Sequence, residues 1–157
     1  MPLFDGRQLM TRFNPTPSDE RATESLVDLA RCSKLHRIIV AGLKSPELML
    51  ELHRRGFNRV ATTATCGLPR GQYDVAVVDW QGHSIKALET TLDWLVHFLG
   101  SLAVMVIRVD SHERAVNRKL AAMLERLGFR VEIGTRCEQG LAVSARRRDA
   151  TQLAVAA

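Results

Sequence analysis

Cysteine is scarce in this chain, and its three positions, Cys32, Cys66 and Cys137, are odd in number and far apart. They form no CxxC pair, so neither a disulfide framework nor a cysteine-type zinc site is supported, and no metal is expected. Thiols of this kind stay reduced in a cytoplasmic protein, which is the expected location. Aromatic residues make up only 5% of the chain, too few to interleave with its cations as a nucleic-acid surface would. No apolar run approaches the roughly 20 residues of a membrane span. The start, Met1-Pro2-Leu3-Phe4-Asp5-Gly6, has neither a basic opening nor a long apolar stretch, so no signal peptide and no membrane partner are expected. Neither sign of charge dominates. Lys and Arg number 22 and Asp and Glu 17, a net +5 that supports a nucleic-acid partner no further than a moderate basic balance can. The one dense cluster, Arg146-Arg147-Arg148, is expected to be a solvated edge beside the last strand.

What is present is enough apolar residue for one core. At 157 residues and 46% hydrophobic, a single domain needs no covalent staple. The run Tyr73-Asp74-Val75-Ala76-Val77-Val78-Asp79-Trp80 is the strongest local signal. Its four consecutive apolar residues are too few for a free-standing helix and suit a central parallel strand buried on both faces. Asp79 then lies at the carboxyl end of that strand, where open α/β sheets bind their ligands.

The rest of the chain alternates around that strand. Residues 1–17 form an irregular arm, 18–149 one domain and 150–157 a tail. A first helix is expected over 18–33, with Ser18 as cap and Ala22, Leu26, Leu29 and Ala30 on its apolar face. A strand follows over 37–41, then a Gly42-Leu43-Lys44 turn. Ser45-Pro46-Glu47 has the form of an N-cap serine, a first-turn proline and an acid, and opens a helix that stops at Gly56. A second strand is expected over 59–63. The glycine- and proline-bearing segment 65–72 is a loop. A helix over 84–99, ended by Gly100, precedes a strand over 102–109. A helix over 111–127, ended by Gly128, precedes strands over 129–133 and 141–145 joined as a hairpin. The fold class is α/β: a Rossmann-like, three-layer, mostly parallel sheet with a C-terminal antiparallel hairpin. It is shortened, with one strand–helix unit missing between residues 63 and 73.

The helix before the first strand, the glycine turn Ile38-Ile39-Val40-Ala41-Gly42, the strand ending at Asp79, and the closing segments Leu127-Gly128-Phe129-Arg130-Val131-Glu132 and Gly140-Leu141-Ala142-Val143-Ser144-Ala145-Arg146 together resemble the class I S-adenosylmethionine-dependent methyltransferases. The resemblance spans residues 18–147 and is one of layout. It implies S-adenosylmethionine held around Gly42, Lys44, Ser45, Thr62, Thr63, Asp79 and Trp80, with the cofactor carrying the chemistry. The chain departs from the family at two grips. Only Gly42 remains of the glycine-rich loop, and Ala61-Thr62-Thr63-Ala64-Thr65 has no acid for the ribose hydroxyls. These departures imply a methyltransferase-like domain of reduced or lost activity, or a non-enzymatic binding or regulatory module on the same fold. The strand ending at Asp79 also resembles the phosphoacceptor strand of response-regulator receiver domains. That resemblance lacks the carboxylate pair after the first strand that would hold Mg²⁺.

The polar residues at strand ends supply the catalytic candidates. Asp79, His83, Asp110 and His112 all follow apolar runs, and carboxylates with imidazoles can move protons. Against that, His83-Ser84 and Asp110-Ser111 have the composition of ordinary helix entries. Lys44 and Ser45 stand at a helix start, where a phosphate or carboxylate is favoured. Trp80 is placed to stack on a ring or to cover the sheet edge, and Trp94 falls off the apolar stripe of its helix. Cys66 has no histidine near it in sequence to make it a nucleophile. The expected partners are a small-molecule ligand at the carboxyl ends of the strands and a second copy of the chain, covering the flank left by the missing unit.

Overall fold

Residues 75–80 are buried without interruption, and the whole sheet is built outward from them. The computed structural model describes residues 17–148 other than 43, 66, 68, 69, 82, 83, 112, 138 and 139. Along the chain lie α1 (Pro17–Ala30), β1 (Ile38–Gly42), α2 (Ser45–Arg54), β2 (Val60–Thr62), β3 (Tyr73–Trp80), α3 (Ile85–Leu95), a 3₁₀ turn (Val96–Phe98), β4 (Leu99–Val109), α4 (Arg114–Arg126), β5 (Phe129–Cys137) and β6 (Gly140–Arg147). The six strands are ordered β2-β1-β3-β4-β6-β5. The β2-β1-β3-β4 part is parallel, and β6 runs antiparallel to both β4 and β5.

Strand alternation sends successive side chains to opposite faces, and each face has its own core. Ala76, Val78 and Trp80 join Met105, Ile107 and Val109 under Leu88, Leu92 and Leu95 of α3 and Leu120 and Leu124 of α4. Val75 and Val77 join Ile38, Val40 and Val106 under Leu26 of α1 and Leu48 and Leu52 of α2. Of the apolar face expected for the first helix, Leu26 and Ala30 are buried in this core and Leu29 packs against it. The chain leaves β1 toward β2 and then crosses back to β3. The switch point therefore lies between β1 and β3, and no strand–helix unit stands between β2 and β3, as the sequence implied.

Several boundaries differ from expectation. Gly100 was expected to end a helix, but α3 stops at Leu95 and Gly100 lies inside β4, which begins at Leu99. The reason is tertiary. The Arg147 guanidinium donates from Nη1 to the carbonyl of Leu99 at 2.7 Å and to those of Val96 and Gly100 at 3.3 and 3.4 Å. The hairpin is longer than the two short strands expected: β5 reaches Cys137 and β6 extends from Gly140 to Arg147, so Arg146 and Arg147 belong to the strand. The residue capping α2 is Lys44, not Ser45, and it makes no side-chain cap; Pro46 still occupies the first turn. Ser84 does cap α3, accepting the Ala87 N–H at 3.2 Å. The expected arm and tail lie outside the described residues, save that α1 begins at Pro17.

Candidate functional site

One register row crosses the carboxyl end of the sheet. Gly42 of β1 pairs with Asp79 of β3, Asp79 with Arg108 of β4, and Arg108 with Ala142 of β6. Asp79 continues the face of Val75 and Val77, and Arg108 that of Val106, so both project to the α1/α2 side. Their side chains meet in a two-point ion pair. Arg108 Nε donates to Asp79 Oδ1 at 2.9 Å and Nη2 to Oδ2 at 2.6 Å. The residues are 8% and 6% exposed, so the pair is nearly dry. Parallel donation to both oxygens is the strongest geometry a carboxylate and a guanidinium can adopt. Neither charge is tolerable at such burial without the other.

Gly42 is fixed by the same row. Its φ is +118°, and a Cβ there would overlap the carbonyl oxygen of Asp79. Glycine is required for β1 to approach β3, whatever binds beyond it. At the end of β2, Thr62 is buried and its N–H donates to Thr65 Oγ1 at 2.9 Å; the two hydroxyls lie 3.0 Å apart. This closes a polar turn with no carboxylate in it.

The other sequence candidates are distributed as follows. Gly42, Lys44, Ser45, Thr62, Thr63 and Asp79 all gather at the carboxyl ends of β1, β2 and β3 and the turns that follow, with Lys44 exposed. Trp80 does not join them. It points to the α3/α4 face, is buried in that core, and its Nε1 donates to the Ser84 carbonyl at 3.1 Å. Asp110 is exposed just past β4. His83, His112 and Cys66 lie outside the described residues. Among the described residues, no group of three or more His, Cys, Asp or Glu is placed to hold a metal. Cys32 is half-buried. Burial pushes its thiol above the ordinary value and Asp28 pushes the same way, against a backbone hydrogen bond that lowers it.

Arg108 is the residue that sequence reasoning missed. The available signal was a lone cation inside the apolar run Leu102-Ala103-Val104-Met105-Val106-Ile107-Arg108-Val109. A charge at the end of a buried strand demands an opposite partner. That the partner is Asp79 follows only from the β3–β4 register.

S-adenosylmethionine presents a ribose diol that needs an acceptor and a sulfonium cation. At this edge β2 offers no carboxylate, and Asp79 is buried with its charge neutralised by a cation bonded to both its oxygens. The residues present do not fit that cofactor. A receiver-type phosphoacceptor gains no support either, because Asp79 faces a guanidinium instead of a carboxylate pair.

No family model and no curated protein matches the sequence. Solved structures do match the fold. A SAM-dependent methyltransferase from Aquifex aeolicus is 14% identical, with a TM-score of 0.58 covering 92% of this chain and 100% of that one. The 1,6-didemethyltoxoflavin-N1-methyltransferase of Burkholderia thailandensis, solved with S-adenosylhomocysteine, is 19% identical, with a TM-score of 0.57 over 92% of this chain and 83% of that one. The cyclase SpnF is 10% identical, with a TM-score of 0.60 over 83% and 81%. Identities this low establish architecture and leave chemistry to the site. The chain has the class I S-adenosylmethionine-dependent methyltransferase-like fold, with one strand–helix unit fewer than that layout implies.

Proposed function

We propose that this chain is a methyltransferase-like module that no longer transfers methyl groups and serves as a binding or regulatory domain. The commitment of both Asp79 oxygens to Arg108 carries the reading. A carboxylate at the ligand edge serves a substrate only while it can be reached, and here Asp79 is buried and each of its oxygens already accepts from a buried guanidinium. The missing acid after β2 supports the same conclusion. Any ligand then binds at the turns that follow β1 and β2, around Lys44, Thr62 and Thr63. The module is read as cytosolic, where its thiols stay reduced, and as self-associating through the flank beside β2.

A second reading keeps the cofactor. Two features favour it: the glycine turn after β1 is retained, and a structure of the same fold was solved with S-adenosylhomocysteine. Isothermal titration of the purified chain with S-adenosylmethionine and S-adenosylhomocysteine separates the two. The first reading expects no saturable heat and no rise in Tm at about 1 mM ligand. A ligand present at a hundredfold its Kd would add about 2.7 kcal/mol of stability and would show. Saturable binding of either compound overturns the proposal and restores the cofactor reading.

A further inference from the structure

The amino end of the sheet, opposite the edge just described, is tied together by contacts between the segments that enter its strands. The Ile38 N–H donates to the Arg59 carbonyl at 2.8 Å, the Asp74 N–H to the Arg37 carbonyl at 2.8 Å and the Gly71 N–H to the His97 carbonyl at 3.0 Å. Arg37 Nη1 donates to Gln72 Oε1 at 3.0 Å, and the Arg148 N–H to the Gly128 carbonyl at 2.8 Å. The Lys34 side chain lies over Gly56, so the loop entering β1 abuts the turn that ends α2. These contacts join the approaches to β1 through β4, and separately the exit of β6 to the approach to β5.

Three of the four large apolar side chains that stand exposed among the described residues belong to this end. They are Leu35, 75% exposed, Leu102, 68%, and Trp94, 43%; the fourth, Leu50, is on α2. Leu35 precedes Ile38 and Leu102 precedes Val104. Ile38, Val75 and Val104 share one register row, and Leu35, in the turn before β1, and Leu102, in the irregular stretch of β4 between the Tyr73–Leu99 and Val75–Val104 pairs, both lie on its amino side. A single strand, β3, separates β1 from β4. Trp94 lies in the last turn of α3 against Phe98, ring centroids 4.6 Å apart, just ahead of β4.

Cations share this end of the sheet with a few exposed acids, among them Asp28 in the last turn of α1 and Asp93 beside Trp94. Arg31, Lys34, Arg59 and Arg70 are exposed, and Arg37 and Arg148 are half-buried. The nearby carboxylate of Asp74 accepts the Arg37 N–H, while Arg54 and Arg55 are paired with Glu51 and add little net charge. Basic residues collect at helix C-termini for reasons of the helix dipole alone, and that accounts for Arg31 and Lys34. It does not account for leucines held out in solvent among them.

We propose that the amino end of the sheet docks on an anionic lipid surface, with Leu35, Leu102 and Trp94 entering the interface and the cations meeting the headgroups. Leucine gains nothing from a phosphate backbone and gains by leaving water for the acyl boundary, which favours a bilayer over nucleic acid. Tryptophan concentrates at that depth for the same reason. Each cation near such a surface adds about fivefold to the partition coefficient, and neither the cations nor the apolar tips suffice alone. The inference is independent of what the carboxyl edge binds. It departs from the expectation of no membrane partner, which rested on the lack of a spanning run and does not bear on a surface contact.

Sedimentation of the full chain with vesicles tests it. The chain should associate with mixed phosphatidylcholine–phosphatidylserine vesicles, weakly with phosphatidylcholine alone, and less as salt is raised. Leu35→Ser with Leu102→Ser should reduce association at low salt about tenfold or more, with circular dichroism unchanged because both side chains are exposed. Arg59→Gln with Arg70→Gln should reduce it about 25-fold on the same per-charge scale. Failure to associate with the anionic vesicles overturns the proposal. So does association that the leucine substitutions leave unchanged, which would make the surface a purely electrostatic one for any polyanion.

Discussion

Asp79 and Arg108 are the two charged residues buried among the described residues, and each is buried because the other is. Removing one partner strands a charge. Asp79→Ala is therefore expected to lower unfolding free energy by about 3–5 kcal/mol, measured by urea denaturation. Replacing both, as Asp79→Leu with Arg108→Met, should recover most of that loss, since an apolar pair has no desolvation cost to offset. A double variant no more stable than Asp79→Ala would show that the loss comes from packing along this row and not from a stranded charge. Gly42 is legible at this scale only in part. A glycine after a strand announces a turn, but the reason a side chain cannot replace it is the carbonyl of Asp79.

At the scale of elements, α1 is held to the sheet by a specific polar contact as well as by apolar burial. Ser144 of β6 is buried, and its Oγ donates to the Leu29 carbonyl in the last turn of α1 at 3.1 Å. Ser144→Ala should cost about 1 kcal/mol, the net worth of one such bond. Hydrogen exchange should show the loss locally, with faster exchange in α1 and unchanged protection in β3. Equal acceleration of both would show that α1 does not open separately from the sheet. The strand β3 was fully legible in the sequence, because a short apolar run between polar residues has few alternatives. The α3–β4 junction was not. The stretch Val96-His97-Phe98-Leu99-Gly100 reads equally well as helix end or strand start, and the choice rests with the Arg147 guanidinium and with the Gly71 N–H on the His97 carbonyl. Both partners are distant in sequence, and local propensity is silent about them.

For the whole molecule, the missing strand–helix unit leaves β2 at the edge of the sheet. The two edges are not alike. β5 carries Arg130, Glu132 and Arg136, charges that discourage pairing with another chain, whereas Val60–Thr62 carries none. Self-association through the β2 side is the expected consequence, and light scattering at high concentration should give a dimer mass. A monomer there would show that three uncharged residues are too short an edge to recruit a partner. The two ends of the sheet differ as well. The carboxyl end closes on itself through an ion pair, and the amino end presents leucines and cations outward.

By itself the sequence determined the class of fold. Runs of four to eight apolar residues between amphipathic stretches can only stack as strands between helices, and Gly128 with the hairpin residues fixes how the sheet closes. Asp79 at a strand end was legible for the same reason, since position along a strand is a local property. What Asp79 does was decided only by the tertiary structure. Its role depends on which residue of β4 lies opposite, and register between strands distant in sequence is set by packing of both faces at once, not by either strand alone. The same holds for Leu35 and Leu102. Leu35 stands before β1 and Leu102 inside β4, and only the order and register of β1, β3 and β4 bring both to one end of the sheet.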